Sequence, residues 1–182
     1  EDFSDTTILV VDTLAASLGE GILIMKAVQL KKEGKNLAET AKAIEELIPH
    51  ICTLFTVDDL NYLYRGGRLS KTSAVVGTLV NIKPILRVNE EGKLVALSKT
   101  RGRNKSLQTM ANLMEEYLGE FRNKQLTIGL IHGDCEEDAL YLKKIIEEKY
   151  GYNDFLIQPI GPSIGAHSGP GTVGLIFLGE HR

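Results

Sequence analysis

The chain has 182 residues, of which 43% are hydrophobic and 25% charged, with a net charge of −3 and a pI near 5.9. This is enough chain to bury a real core in one domain or slightly more, and the acidic balance argues against bulk nucleic-acid binding. No apolar run reaches the roughly eighteen residues of a membrane span, and no basic-then-apolar leader is present.

The two cysteines, Cys52 and Cys135, are far apart and belong to no metal-ligand spacing, so a reduced, cytoplasmic setting is expected, with both packed as small hydrophobes. The chain opens at Glu1 rather than Met, which suggests a processed, trimmed or incomplete polypeptide.

Thr7–Val11 is a β-branched run suited to a buried parallel strand, with Asp12 and Thr13 following as a turn and a helix cap. Apolar spacing from Leu14 to Lys32 predicts a helix stopped at Gly34, and a second helix opens at Asn36 or Leu37 and ends near Pro49. One strand and two helices cannot close a sheet, so the first fifty residues read as a piece of something larger. Ile51–Val57 predicts the next strand. Asp58–Tyr64 predicts a helical turn leading into Arg65-Gly-Gly-Arg-Leu-Ser70, and Thr72–Val80 a small-residue buried helix.

Ile85–Val88 and Leu94–Leu97 flank Asn89-Glu-Glu-Gly92 as a hairpin. Asn104–Tyr117 is amphipathic, with Leu107, Met110, Ala111, Met114 and Leu118 on one face. Leu126–Ile131 predicts a strand. Asp134–Tyr150 predicts a helix with acids in its first turn and lysines later, as the helix dipole favours. Phe155–Ile157 and Val173–Leu178 complete a mixed sheet of about six strands in an α/β domain.

Three clusters carry the available chemistry. Arg65-Gly-Gly-Arg68-Leu-Ser70 sets two guanidinium groups around a tight turn, and Lys99-Thr-Arg101-Gly-Arg103 repeats the idea between a strand and a helix. Guanidinium forks match carboxylate and phosphate oxygens two at a time, so each reads as an anion site or as a solvated loop. The third is Ile160–Gly174, which holds five of the chain's eighteen glycines and two of its five prolines. It reads as a shaped loop between strands, with His167 and Ser168 its only chemically useful side chains. If the two arginine turns converge on one sheet edge, this loop can join them. His132-Gly-Asp134 ends a strand, with the Asp read as a cap of the next helix. Asp58 and Asp59 read as capping residues, and His50 and His181 as exposed residues near element ends. No phosphate-binding loop, nucleophile elbow, HExxH or CxxC occurs.

Phe55–Ser70, Asn81-Ile-Lys-Pro-Ile-Leu86 and Ile164–Leu175 together resemble the DegV family of bacterial fatty-acid-binding proteins, some of which are the acyl-binding subunit of a fatty-acid kinase. The resemblance implies a two-layer α/β C-terminal domain over residues 51–182. Residues 1–50 are implied to be the last strand and helices of an α/β/α N-terminal domain, most of which lies outside this chain. It further implies a long-chain fatty acid as ligand, no cofactor and no metal, a partner kinase that phosphorylates the carboxylate, and no catalysis by the chain itself. Arg68, Arg101 and His167 are implied to lie near the carboxylate or its acyl phosphate, with Arg65, Arg103 and Ser168 as neighbours. Two other readings of the same residues stay open. One is a hydrolase or transferase using His167 as base with Ser70 or Ser168 as nucleophile. The other is an interaction module whose arginines dock an acidic partner.

Overall fold

The computed structural model of the protein describes residues 5–69 and 81–182. The helix expected over Thr72–Val80, and Ser70, lie outside these residues. The described elements are α1 (Leu18–Lys32), α2 (Leu37–Leu47), β1 (Ile51–Thr56), α3 (Leu60–Arg65), β2 (Ile82–Val88), β3 (Leu94–Arg101), α4 (Arg103–Leu118), β4 (Ile128–His132), α5 (Glu136–Tyr150), β5 (Phe155–Pro159), α6 (Pro162–Ser168) and β6 (Val173–Leu178).

The six strands form one mixed sheet in the order β3-β2-β1-β6-β4-β5, parallel only between β4 and β5. β6 is buried along its whole length. Its alternate side chains serve opposite faces, as the pleat requires. Val173, Leu175 and Phe177 join Leu54, Leu107, Met110, Met114 and Leu142 beneath α4 and α5. Ile176 and Leu178 join Ile22, Leu23, Ile44 and Ile51 beneath α1 and α2. The apolar face expected on α4 is buried in full, with Leu107, Met110, Ala111, Met114 and Leu118 at 0% exposure.

Local capping explains several boundaries. Asn36 opens α2 with a capping box: its side chain accepts from the Glu39 amide at 3.0 Å, while the Glu39 carboxylate accepts from the Asn36 amide at 2.9 Å. Asn89 closes the β2–β3 hairpin by accepting from the Glu91 and Lys93 amides at 3.1 and 2.8 Å.

Three expectations are corrected. Thr7–Val11 forms no strand: a strand needs a neighbouring backbone, and none of the six pairs with it. The first helix begins at Leu18, not Leu14, because Asp12 and Thr13 bond the amides of Leu14 and Ala15 in tight turns, and Leu14 and Ser17 take left-handed backbone. Asp134 does not cap α5: it is itself left-handed (φ 57), Cys135 holds the cap position, and no side chain bonds there.

The first helices leave apolar surface uncovered. Val10 is 89% exposed, Ile8 64% and Ile24 55%, with Met25 and Val28 beside Ile24 on the outer face of α1. The 182-residue chain is expected to self-associate as a result. Sedimentation velocity across a concentration series checks this, and a single monomeric species throughout contradicts it.

Burial pushes the Cys52 thiol up to about 12. A raised folded value means the thiol contributes stability that is complete below its unfolded pKa of about 8.5 and is lost as pH climbs toward 12. Urea midpoints are expected to fall between about pH 8.5 and 11, and to fall less in Cys52→Ala.

Candidate functional site

Strand directions decide where the chemistry collects. Thr56, at the end of β1, pairs with Val173 at the start of β6 and with Ile85 of β2. His132, at the end of β4, pairs with the same Val173 and with Pro159, the last residue of β5. Ile82, at the start of β2, pairs with Arg101, the last residue of β3. One edge of the sheet therefore carries α3 with the Arg65–Arg68 turn, the Arg101–Arg103 turn and the segment holding His167. The two arginine turns and the glycine-rich stretch do meet on a shared edge.

That stretch is not wholly a loop. Pro162 starts α6 where a missing amide costs nothing, and Ser168 ends it before left-handed Gly169 (φ 78). His167 sits on the last helical turn, half-buried, with its ring Nδ1 against Gly66 of the Arg65–Arg68 turn. The Ser168 hydroxyl donates to the Ile164 carbonyl at 3.1 Å, and the residue is 4% exposed. A buried hydroxyl spent on the helix backbone is not offered to a substrate, which removes the basis for Ser168 as nucleophile.

The arginines divide by environment. Arg65, Arg68 and Arg101 are exposed. Arg68 folds over its own turn, donating from Nη1 to the Gly66 carbonyl at 2.6 Å. Arg103 is held inside: its side chain is 18% exposed, Nε donates to Asp138 Oδ2 at 2.8 Å, and Nη1 lies 3.6 Å from Asp58 Oδ1. Asp58 also accepts from Lys83 Nζ at 2.6 Å. The four groups make an ion network in which each cation has a carboxylate. Its charges are balanced before any ligand arrives.

Lys83 is the residue that sequence reasoning missed, and Asp58, expected as a cap, pairs with Lys83 and Arg103 instead. Asp59, not Asp58, caps α3, accepting from the Asn61 amide at 2.9 Å. Lys83 carried a usable signal: it alternates inward on a mostly apolar strand, an unusual place for a cation without a partner. His50 is half-buried, bonding the Gly179 carbonyl through Nδ1 at 2.9 Å, whereas His181 is exposed as expected.

Polar atoms without partners gather near the same edge. Thr56 Oγ1, Thr100 Oγ1, His132 Nδ1 and Arg103 Nη1 are buried without a hydrogen-bond partner among the described residues. No trio of His, Cys, Asp or Glu side chains suited to a metal occurs among those residues. No described helix is long and apolar enough to cross a membrane. A groove of about 390 Å³ lies between α1 and residues 125–127, near the start of β4 and away from His167.

The arrangement can receive an anion. Exposed guanidinium groups and an imidazole stand around a glycine turn, with a balanced ion network behind them.

A family model described as "Uncharacterised protein, DegV family" matches residues 1–180. A DegV domain-containing protein of Clostridium perfringens is 44% identical over 182 residues, 100% of this chain and 62% of that protein. The crystal structure of a fatty acid binding DegV family protein from Streptococcus agalactiae is 31% identical, with a TM-score of 0.82 over 99% of this chain and 62% of that one. The Streptococcus pneumoniae Fatty Acid Kinase (Fak) B3 protein, solved loaded with linoleic acid, is 26% identical, with a TM-score of 0.86 over 98% of this chain and 62% of that one. The chain thus spans less than two thirds of the length of these relatives.

The ion network generates a prediction. Asp58→Asn leaves Lys83, 15% exposed, without a carboxylate, and Arg103, 18% exposed, with Asp138 alone. It is expected to lower unfolding stability by about 1–2 kcal/mol, as for a hydrogen-bonded charge that loses its partner. Asp59→Asn, whose amide oxygen still caps α3, is expected to cost only a few tenths of a kcal/mol. Chemical denaturation of the two variants checks the contrast, and equal losses contradict it.

Proposed function

The chain belongs to the DegV family, and from that premise we propose that it is part of a fatty-acid-binding protein that presents its ligand's carboxylate at the edge carrying His167. Arg68, Arg101 and His167 receive the carboxylate, with Arg65 as a neighbour. The observation that carries this reading is the seating of His167 against the Arg65–Arg68 turn, at the sheet edge where β3 ends in Arg101. Relatives support the ligand class: the Streptococcus agalactiae protein is a fatty acid binding protein and the pneumococcal one was solved loaded with linoleic acid.

The finer reading is that a partner kinase phosphorylates the presented carboxylate and that this chain is not itself the catalyst. An acyl phosphate carries a charge of about −1.5 to −2 against −1 for a carboxylate, and guanidinium groups with a protonatable imidazole stabilise the added charge. Such a site needs cations and open access more than it needs a nucleophile or a metal.

We assign residues 51–182 to the carboxylate-covering domain and residues 1–50 to the end of the domain that holds the acyl chain, a piece whose helices α1 and α2 also pack on the sheet through Ile22, Leu23 and Ile44. The apolar surface left open on residues 8–10 and on α1 is consistent with that assignment. Arg103 takes a different role from Arg68 and Arg101. Its Asp138 and Asp58 partners make it a support for the Arg101 turn.

Two measurements test the proposal. Native mass spectrometry of the 182-residue chain, followed by extraction, is expected to recover a long-chain fatty acid, and an empty chain that also fails to take up added oleate overturns binding by this segment. With a bacterial fatty-acid kinase and ATP, Arg68→Ala and Arg101→Ala are each expected to slow acyl-phosphate formation about tenfold or more, the weight of one charge-assisted hydrogen bond. Their unfolding midpoints should stay within about 2 °C of the parent, as for substitutions at exposed sites. Undiminished phosphorylation in both variants contradicts the assigned roles.

A further inference from the structure

Residues four apart on and around α3 meet residues two apart from the last turn of α6 onward. Asp58 lies against Gly171, Tyr62 against Gly169, and Gly66 against His167. Each contact pairs a side chain with a glycine. A Cβ on Gly171 would lie 2.5 Å from the Asp58 carboxyl, one on Gly169 would lie 2.5 Å from the Tyr62 ring, and one on Gly66 would collide with His167 Nδ1. The two segments thus run antiparallel across the contact, and the glycine changes sides at the His167 end.

We infer that Gly66 is a positioning residue: it is the seat that fixes the His167 imidazole, so that α3 and residues 167–171 form one interlocked unit holding His167 and the Arg65–Arg68 turn in fixed relation. Gly66 has ordinary right-handed backbone (φ −75), so its lack of a side chain is not needed for conformation. Gly169 and Gly171, at φ 78 and 74, are needed for conformation as well as space. With Nδ1 facing Gly66, Nε2 is the ring nitrogen left to meet a ligand. At the other end of the seam, Asp58 holds Lys83 and Arg103, which links this unit to the turn that carries Arg101.

The functional consequence rests on the fatty-acid reading above, whereas the interlock does not, so the test has two arms. In the first, thermal unfolding is compared for the parent chain, Gly66→Ala, His167→Ala and the double variant. Gly66→Ala is expected to lower the midpoint by roughly 3–8 °C when His167 is present, the range for overpacking a tight contact, and to leave it unchanged or raise it in the His167→Ala background. An equal loss in both backgrounds overturns the inference.

In the second arm, the His167 ring resonances are recorded by NMR with and without oleate. Oleate is expected to displace them in the parent chain, because a carboxylate seated beside the ring changes its surroundings, and to displace them much less in Gly66→Ala, whose ring is moved aside. Equal displacements in both proteins show that Gly66 does not position the ring and overturn that role. No displacement in the parent removes the fatty-acid reading at this site, while the unfolding cycle still decides the interlock.

Discussion

The structure depends on the insertion of β6 between β1 and β4. The last strand of the sequence fills the centre of the sheet, and its antiparallel pairing on both sides sets every neighbouring register. The fit is close on the α1 side, where Gly174 opposes Phe55 and Ile131, and a Cβ at Gly174 would lie 2.7 Å from Ile131 Cγ1. Because β1 and β6 are distant in sequence, the core closes only after a large loop-closure cost has been met. The same pairing brings the end of β1, the end of β4 and the glycine-rich segment before β6 to one edge. Core assembly and site assembly are therefore one event.

At that edge the electrostatics separate support from presentation. Lys83 and Arg103 are partly buried, and burial of a cation is tolerable only with a carboxylate beside it. Asp58 and Asp138 supply these, so this part of the edge is neutral and ties β1, β2, α4 and α5 together. Arg65, Arg68 and Arg101 remain exposed, where solvent screens their charge until a ligand excludes water. Anion recognition by a site of this kind draws on the exposed set, held in place by the neutral network behind it.

How much of this was legible in the sequence follows the range of the interactions involved. β1, α4, α5 and the β2–β3 hairpin are announced by local periodicity and turn chemistry, which need no partner to be read. Thr7–Val11 carries the same β-branched signal but finds no neighbouring strand, and a strand without a ladder is not formed. Glycine and proline content marked residues 160–174 as special but could not reveal α6, because a two-turn helix is set by tertiary contacts more than by propensity. The arginine turns could be seen as equals in sequence. Which of them is internally neutralised depends on Asp58 and Asp138, which belong to other elements, and no spacing rule reports a pair of that kind.

The distinction between binding and catalysis at this edge also rests on tertiary detail. In sequence, His167 and Ser168 stand side by side and suggest a base with its nucleophile. In the fold, adjacent residues on a helix point about 100° apart, so neighbours in sequence do not face each other. The Ser168 hydroxyl turns inward to the Ile164 carbonyl, while the His167 ring turns to the Gly66 turn. A nucleophile needs its oxygen exposed and its base within hydrogen-bond reach, and this geometry supplies neither for Ser168. Among the described residues this leaves an imidazole beside exposed guanidinium groups, a set that can stabilise a negative charge brought to it.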